Sequence, residues 1–362
     1  MKKSLLVGAL LGAFGAASAQ SSVTVYGTLD AGIAYNKGSN LAGKTLSLES
    51  GQQSYSRIGF KGKEDLGNGL TALFVLEQGV QINTGISGYQ TLGSGISTVT
   101  DDDRSLGNDG IFSSQAYVGL SSKNVGTVSI GRQFSPLYES YLAIDPFMNG
   151  FAANMNNFFG AGQGHSPFQR MSNAVIYKTA DSANLYGFKG SLAYGFGGQA
   201  GSLSKDRQVG ISLGYANGPL TVSYAFHRAR LDSLTDTSDT FDTHFIGATF
   251  DLGMAKIHGA FDQNKIGQLG KTQDYMVGVT LPLGANSLFA DYTHKKYKKD
   301  SDANANQFAV GYTHSLSKRT NLYTAYTYVK NGKESFINIS DWLASPTSRN
   351  VSTVQAGIRH SF

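Results

Sequence analysis

The charged side chains of this 362-residue sequence suit an electrostatic field better than a catalytic centre. Arg57 and Lys61 share one face of a short alternating run, opposite Ile58 and Phe60, so both basic groups point the same way. A separate stretch, residues 134–169, has Glu139 and Asp145 as its acids. Charges set on two sides of a gap steer ions without any bond being made or broken. Catalytic alternatives find no support. The 7 histidines (165, 227, 244, 258, 294, 314 and 360) are scattered, and none lies in an H-E-x-x-H or nucleophile-elbow pattern. Gly160-Ala-Gly-Gln-Gly164 lacks the lysine of a phosphate loop. With no cysteine, disulfides, thiolate metal sites and thiol nucleophiles are excluded. Asp101 and Asp103, in Asp101-Asp-Asp-Arg104, are weak calcium candidates only, because a charge run lacks the spaced ligands of a dedicated site. No enzyme activity and no cofactor are expected.

The elements that must position Arg57 and Lys61 are strands. Met1-Lys-Lys-Ser, an apolar run over 5–17 and Ala17-Ser18-Ala19 form a secretory leader, so residues 1–19 are read as a signal peptide and 20–362 as one exported domain. The apolar run is shorter than the roughly 20 residues of a membrane helix. Glycine is abundant (45), proline scarce (6), and Tyr and Phe number 19 and 21, which suits long strands with polar loops. The formal charge of +5 is too small for this length to indicate nucleic acid.

Residues 23–35 alternate strictly. Val23, Val25, Leu29, Ile33 and Tyr35 hold one parity, and Thr24, Thr28 and Asp30 the other. Similar runs follow at 57–61, 70–82, 111–121, 127–132, 171–179, 186–196, 207–216, 220–228, 243–251, 254–262, 274–281, 287–295, 307–316, 321–330 and 351–362, sixteen in all. The runs 127–132 and 287–295 are ambiguous in phase. Short connections such as 63–69 and 217–219 alternate with long ones such as 36–54, 83–110 and 134–169. That alternation is the signature of an outer-membrane barrel, and it leaves no room for crossover helices. The apolar parity (Val209, Ile211, Leu213, Tyr215) belongs against lipid; the polar parity (Ser223, His227, Lys256, His258, Asp262) belongs against water inside. The expected fold is all-β: a transmembrane 16-stranded antiparallel up-and-down barrel. The long stretch 134–169, without alternation, is read as a structureless loop that folds inward and narrows a water-filled pore.

Several phrases resemble the Gram-negative general diffusion porins, closest to the β-proteobacterial branch. They are Val23-Thr-Val-Tyr-Gly, Ser56-Arg-Ile-Gly-Phe-Lys-Gly-Lys-Glu-Asp-Leu-Gly-Asn-Gly-Leu70, Gln115-Ala-Tyr-Val-Gly-Leu120, Gly126-Thr-Val-Ser-Ile-Gly-Arg-Gln133, Arg170-Met-Ser-Asn-Ala-Val-Ile-Tyr177, Leu316-Ser-Lys-Arg-Thr320 and Gly357-Ile-Arg-His-Ser-Phe362. The resemblance implies a homotrimeric 16-stranded barrel whose third long loop, here 134–169, forms the constriction. It implies arginines on the wall facing acids on that loop. Arg57, Arg132 and Arg170 match the basic positions, and Lys61 shares the parity of Arg57. Glu139 and Asp145 stand for the acids. Ser114 replaces an arginine usual in the family, and Ser135-Pro-Leu-Tyr-Glu139 replaces the Pro-Glu-Phe-Gly-Gly motif. The terminal Phe362 matches the aromatic read by the assembly machinery.

The implied function is passive diffusion of small hydrophilic solutes and ions across the outer membrane, with a modest anion preference because the basic groups outnumber the acids. A substrate-specific channel would show an aromatic slide, for which Tyr26, Phe147 and Phe289 are the candidates; a surface adhesin is the remaining alternative. The aromatics Phe147, Phe151, Phe158 and Phe159 are expected to help hold the loop to the wall. Lys295-Lys-Tyr-Lys-Lys-Asp300 is expected to form a rim patch that meets anionic lipopolysaccharide.

Overall fold

The computed structural model describes residues 22–362 apart from 39–42, 88–110, 160–168, 181–185, 231–239, 268–269, 336 and 338–348. The leader expected over 1–19 and the acids Asp101 and Asp103 lie outside the described residues.

The alternating runs are strands. In chain order they are β1 (Ser22–Lys37), β2 (Lys44–Ser50), β3 (Arg57–Gly67), β4 (Leu70–Gln81), β5 (Ile86–Ser87), β6 (Gln115–Ser122), β7 (Gly126–Phe134), β8 (Arg170–Thr179) and β9 (Phe188–Gly195). They continue as β10 (Gln208–Asn217), β11 (Leu220–Arg230), β12 (Thr240–Asp251), β13 (Lys256–Ile266), β14 (Gly270–Leu283), β15 (Asn286–Tyr297), β16 (Ala305–Ser315), β17 (Thr320–Asn331) and β18 (Val351–Ser361). Every pairing is antiparallel, and β1 joins β18, so the sheet closes and leaves no edge. The segments make sixteen staves. β2 and β3 share one stave against β1, whose outer half pairs with β2 and inner half with β3. β5 only extends the top of β4. Among the described residues no helix is long and apolar enough to cross a membrane; the crossing is made by strands.

The sequence reading placed β2 inside a long loop. Leu46 and Leu48 in fact alternate with Thr45, Ser47 and Glu49 and lie exposed on the outer face. The run was masked by its shortness and by the break after it. Between β2 and β3 the chain steps into the lumen, where Asp30 Oδ2 accepts the backbone N–H of Gln53 at 2.9 Å and of Ser54 at 2.8 Å.

The barrel is apolar outside and polar inside. Leu213 is 60% and Val277 62% exposed on the outer surface, whereas the inward His227, Asp274 and Thr327 are fully enclosed. In lipid that outer surface is covered by acyl chains, and closure satisfies every backbone group in the ladders.

The hydrophobic core lies between the inward loop and one wall. Contrary to expectation the loop is not structureless. It contains α1 (Pro136–Ile144) and α2 (Met155–Phe158). Ser135 caps α1 by accepting the Tyr138 N–H at 3.1 Å, Pro136 opens it, and Asp145-Pro146 stops it. Leu137, Tyr141 and Ile144 of α1 pack with Phe158, Phe159, Phe245 and Met276. Phe147 and Phe151 pack with Phe289 and Tyr323 of β15 and β17. Burying a large ring in this way stabilises by about 1.5–3 kcal/mol. Glycines in the wall make the seats: a Cβ on Gly247 would stand 2.8 Å from Ile144 Cγ2, and one on Gly278 2.9 Å from Pro146 Cγ. The sequence expectation that Phe147, Phe151, Phe158 and Phe159 pack the loop to the wall agrees with their near-complete burial.

Candidate functional site

The loop covers the wall from β9 round to β18 and leaves β3, β4 and β6 to β8 to face the lumen. Polar latches reinforce the aromatic packing. Tyr141 Oη donates to Asp262 Oδ2 at 2.5 Å. Asn264 joins Asp262 to Asp274, and Lys295 Nζ pairs with Asp274 Oδ1 at 2.7 Å, both side chains fully buried. Burial and the adjoining Asp262 carboxylate push the Tyr141 hydroxyl well above its ordinary range. His258 Nδ1–H donates to the Ile144 carbonyl at 2.6 Å, because a carbonyl can only accept. Further on, Ala152 N–H donates to Gln355 Oε1 at 2.9 Å and Gln307 Nε2 to the Ala153 carbonyl at 3.0 Å.

The two acids of the loop have separate tasks. Asp145 is buried and accepts three backbone N–H groups: Phe147 at 2.8 Å on Oδ1, then Asn149 at 3.0 Å and Met155 at 2.8 Å on Oδ2. It folds the loop and does not face the aperture. Burial pushes its carboxyl up to about 6, against the opposing pull of those three amides. Glu139, on α1, is half-exposed and pairs with Lys178 of β8.

Arg57 points into the lumen, as its parity predicts. Its Nε lies 3.2 Å from Glu77 Oε2, a wall acid on the adjoining strand. Glu77 is enclosed. It also accepts Tyr26 Oη at 3.0 Å and Ser114 Oγ at 2.5 Å. Ser114, at the position where the sequence resemblance implies an arginine, therefore serves this carboxylate. Lys61 sits two repeats of the pleat further along β3, exposed, with its Nζ 4.8 Å over the Tyr26 ring. Across β1, Arg359 of β18 also faces inward and donates from Nε to Ser54 Oγ at 2.7 Å.

Arg132 does not join Arg57. It stands opposite Ala116 on the outward parity of Val128 and Ile130, and donates to the Ser113 carbonyl at 2.6 Å and Ser172 Oγ at 2.5 Å. Arg170 is buried at the root of the loop, over the Phe134 ring at 5.2 Å and bonded to Gln169 Oε1 at 3.0 Å. Of the four basic residues expected at the aperture, the structure brings only Arg57 and Lys61 together. Phe147 and Phe289 meet edge to face, 4.8 Å between centroids, and are buried, so they form no slide along the lumen. Lys295 is likewise withdrawn from the expected rim patch into the Asp274 pair, while Lys296, Lys298 and Lys299 stay exposed. Among the described residues no cluster of metal-ligating side chains occurs.

The family model described as Gram-negative porin matches residues 7–334. The chain belongs to that family. This porin is 32% identical to outer membrane porin protein 32 of Delftia acidovorans and 31% identical to an outer membrane porin protein of Bordetella pertussis, with 100% of each chain covered in both cases. Among solved structures it is similar to the anion-selective porin from Comamonas acidovorans, with a TM-score of 0.79 and 28% identity over 94% of this chain and 100% of that one. The barrel is thus a passive diffusion channel of the outer membrane, crossed by its own strands.

Three pore residues escaped the sequence reading. Glu77 ends a run, Leu70–Leu76, that is apolar on both parities, so periodicity could not assign its side; only the Gly59–Glu77 pairing does. Arg359 carried a usable signal, since it alternates with the apolar Ile358. Lys178 alternates with Tyr177 in a strand that the bulge near Ser172 throws out of simple phase.

Proposed function

We propose that this porin is a general diffusion channel with a modest preference for anions, set by Arg57 and Lys61 on the open wall. One observation carries the reading. The wall acid Glu77 is enclosed by Arg57, Tyr26 and Ser114, whereas Arg57 and Lys61 present their charge to the lumen, Lys61 over a ring instead of a carboxylate. Water in the aperture meets positive charge first. The anion-selective character of the Comamonas acidovorans porin supports the same sign. The loop acids add little opposing charge there, because Asp145 is spent on backbone amides and Glu139 on Lys178.

The channel works as a homotrimer, as the family resemblance implies, with residues 1–19 removed on export and Phe362 acting as the assembly signal. Lys296, Lys298 and Lys299, exposed at the end of β15 and just past it, meet the anionic groups of lipopolysaccharide. The test is the reversal potential of reconstituted channels in a potassium chloride gradient. A value displaced toward the chloride potential, and reduced in Lys61→Gln, is the expected result. A cation-selective wild type overturns the reading.

A further inference from the structure

Helix α1 has two unlike faces. Leu137, Tyr141 and Ile144 are buried against the wall. Glu139, Leu142 and Ala143 follow an i, i+3, i+4 spacing and occupy the opposite face. Glu139 is held by Lys178, and the rest of that face is the exposed pair Leu142 and Ala143. Past the helix, Phe147 and Asn149 are buried, while Met148 between them is 64% exposed at a positive φ of 52°. The loop lies inside the barrel, so Leu142, Ala143 and Met148 meet the water of the lumen.

These side chains stand opposite the basic wall. Ile144 is seated on Gly247 of β12, and β12 is eight staves from the stave of β3, half-way round a ring of sixteen. The helix face that looks away from β12 therefore looks toward Arg57 and Lys61. Tyr117 bridges part of the gap. It points inward from β6, on the parity opposite Val118 and Leu120, and is close enough to interact with both the Glu77 and the Glu139 carboxylates. The tip of the loop approaches the same wall, because the Phe151 N–H donates to the Gln52 carbonyl, in the segment that leads into Arg57. One side of the aperture thus carries positive charge and the other exposed hydrocarbon. That pairing selects a ligand with an anionic end and an apolar body. A carboxylate suits the guanidinium and ammonium groups, and hydrocarbon laid on apolar side chains gains in proportion to the area it covers. An inorganic oxyanion gains nothing from Leu142 and Met148, and an uncharged sugar gains no Coulomb energy from Lys61.

We infer that the aperture holds a weak, exchangeable site for monocarboxylates with a hydrocarbon body, the carboxylate at Lys61 and Arg57 and the body against Leu142, Ala143 and Met148. The inference rests on the anion-preferring reading and adds to it a preference among anions. Two acids with one carbon skeleton test it: cyclohexanecarboxylate, and quinate, whose ring carries hydroxyls. In planar bilayers at pH 7.5 in dilute potassium chloride, cyclohexanecarboxylate added to both sides lowers the chloride current saturably, and quinate does so only at severalfold higher concentration. Leu142→Gln and Met148→Gln each raise the half-blocking concentration of cyclohexanecarboxylate about fourfold, the contact of one buried methylene, and move that of quinate far less. Met148→Leu, which stays apolar, keeps the wild-type block, and Lys61→Gln weakens the block by both acids. Glutamine variants that shift the two acids equally act through the position of the loop and overturn the inference. So does a wild-type channel with the same half-blocking concentration for both acids, an unsaturable response, or loss of the block in Met148→Leu. A cation-selective wild type counts against the anion reading itself, whereas an anion-selective channel indifferent between the two acids counts against this inference alone.

Discussion

Glu77 Oε2 lies 3.2 Å from Arg57 Nε, both on the barrel wall. The partner of the pore arginine is therefore not on the inward loop. Ser114 completes the arrangement, holding the other carboxylate oxygen at 2.5 Å. An arginine in the place of Ser114 would meet the same acid.

Glu77→Gln should strengthen anion selectivity. The change removes the charge that offsets Arg57 and leaves a side chain of the same size. The chloride-to-potassium permeability ratio is expected to rise by up to about fivefold, from roughly 1 kcal/mol of unscreened interaction at about 4 Å in water. Reversal potentials measure it, and the effect should shrink as salt is raised. An unchanged ratio at low salt would show that Glu77 does not set the field.

Tyr141→Phe should loosen the constriction loop. The substitution keeps the ring packed on Phe245, 4.8 Å away, but leaves the buried Asp262 carboxylate without its hydroxyl donor. The cost is about 1–3 kcal/mol. Single-channel recordings should show more frequent closures than wild type, and proteolysis within the loop should be faster.

Gly247→Val should push α1 into the lumen. The added side chain meets Ile144 and Phe245 at 2.8 Å, and the wall cannot retreat because its backbone is locked in the ladder. A smaller single-channel conductance is expected with the barrel still folded. A conductance equal to wild type would mean that the helix is not seated on this glycine.

Asp145 gives a pH dependence of definite sign. Its carboxyl is raised to about 6 in the folded chain, so the folded state holds this proton more tightly than the unfolded one. Its contribution to stability is therefore fully present below the ordinary carboxylate value near 4 and is lost as pH rises through about 6. The dependence should be smaller in Asp145→Asn, read as the change in denaturation midpoint between pH 5 and pH 7.5.

Phe362 closes the barrel as well as ending it. Its N–H donates to the Gly27 carbonyl at 3.1 Å, its own carbonyl accepts the Gly27 N–H at 3.2 Å, and its ring covers Gly27 so closely that a Cβ there would stand 2.4 Å from Cζ. Phe362→Ser should lower the yield of assembled barrel, read as the heat-modifiable band in gel electrophoresis. Gly27→Leu should impair closure in the same assay while leaving the terminal residue intact.

The sequence by itself determined the barrel. A period of two is a local property of each strand, and the alternation of short and long connections is counted along the chain, so stave number, strand direction and the lipid-facing parity were all legible. It also placed Arg57 and Lys61 in the lumen, because Ile58 and Phe60 separate them. Tertiary structure alone decided the partners. Glu77 reaches Arg57 only through the β3–β4 register, and the phase-ambiguous runs had no face of their own. The ladder turns Lys295 inward to Asp274 and Arg132 outward beside Ser172. The helices of the loop were half legible, in Ser135-Pro136 and in Asp145-Pro146. Their place against Gly247 and Gly278 was not, because a seat made by missing side chains leaves no local pattern to read. Charge pairing across a barrel depends on which residues hydrogen bonding sets side by side, and residues far apart in the chain become neighbours only once the sheet has closed.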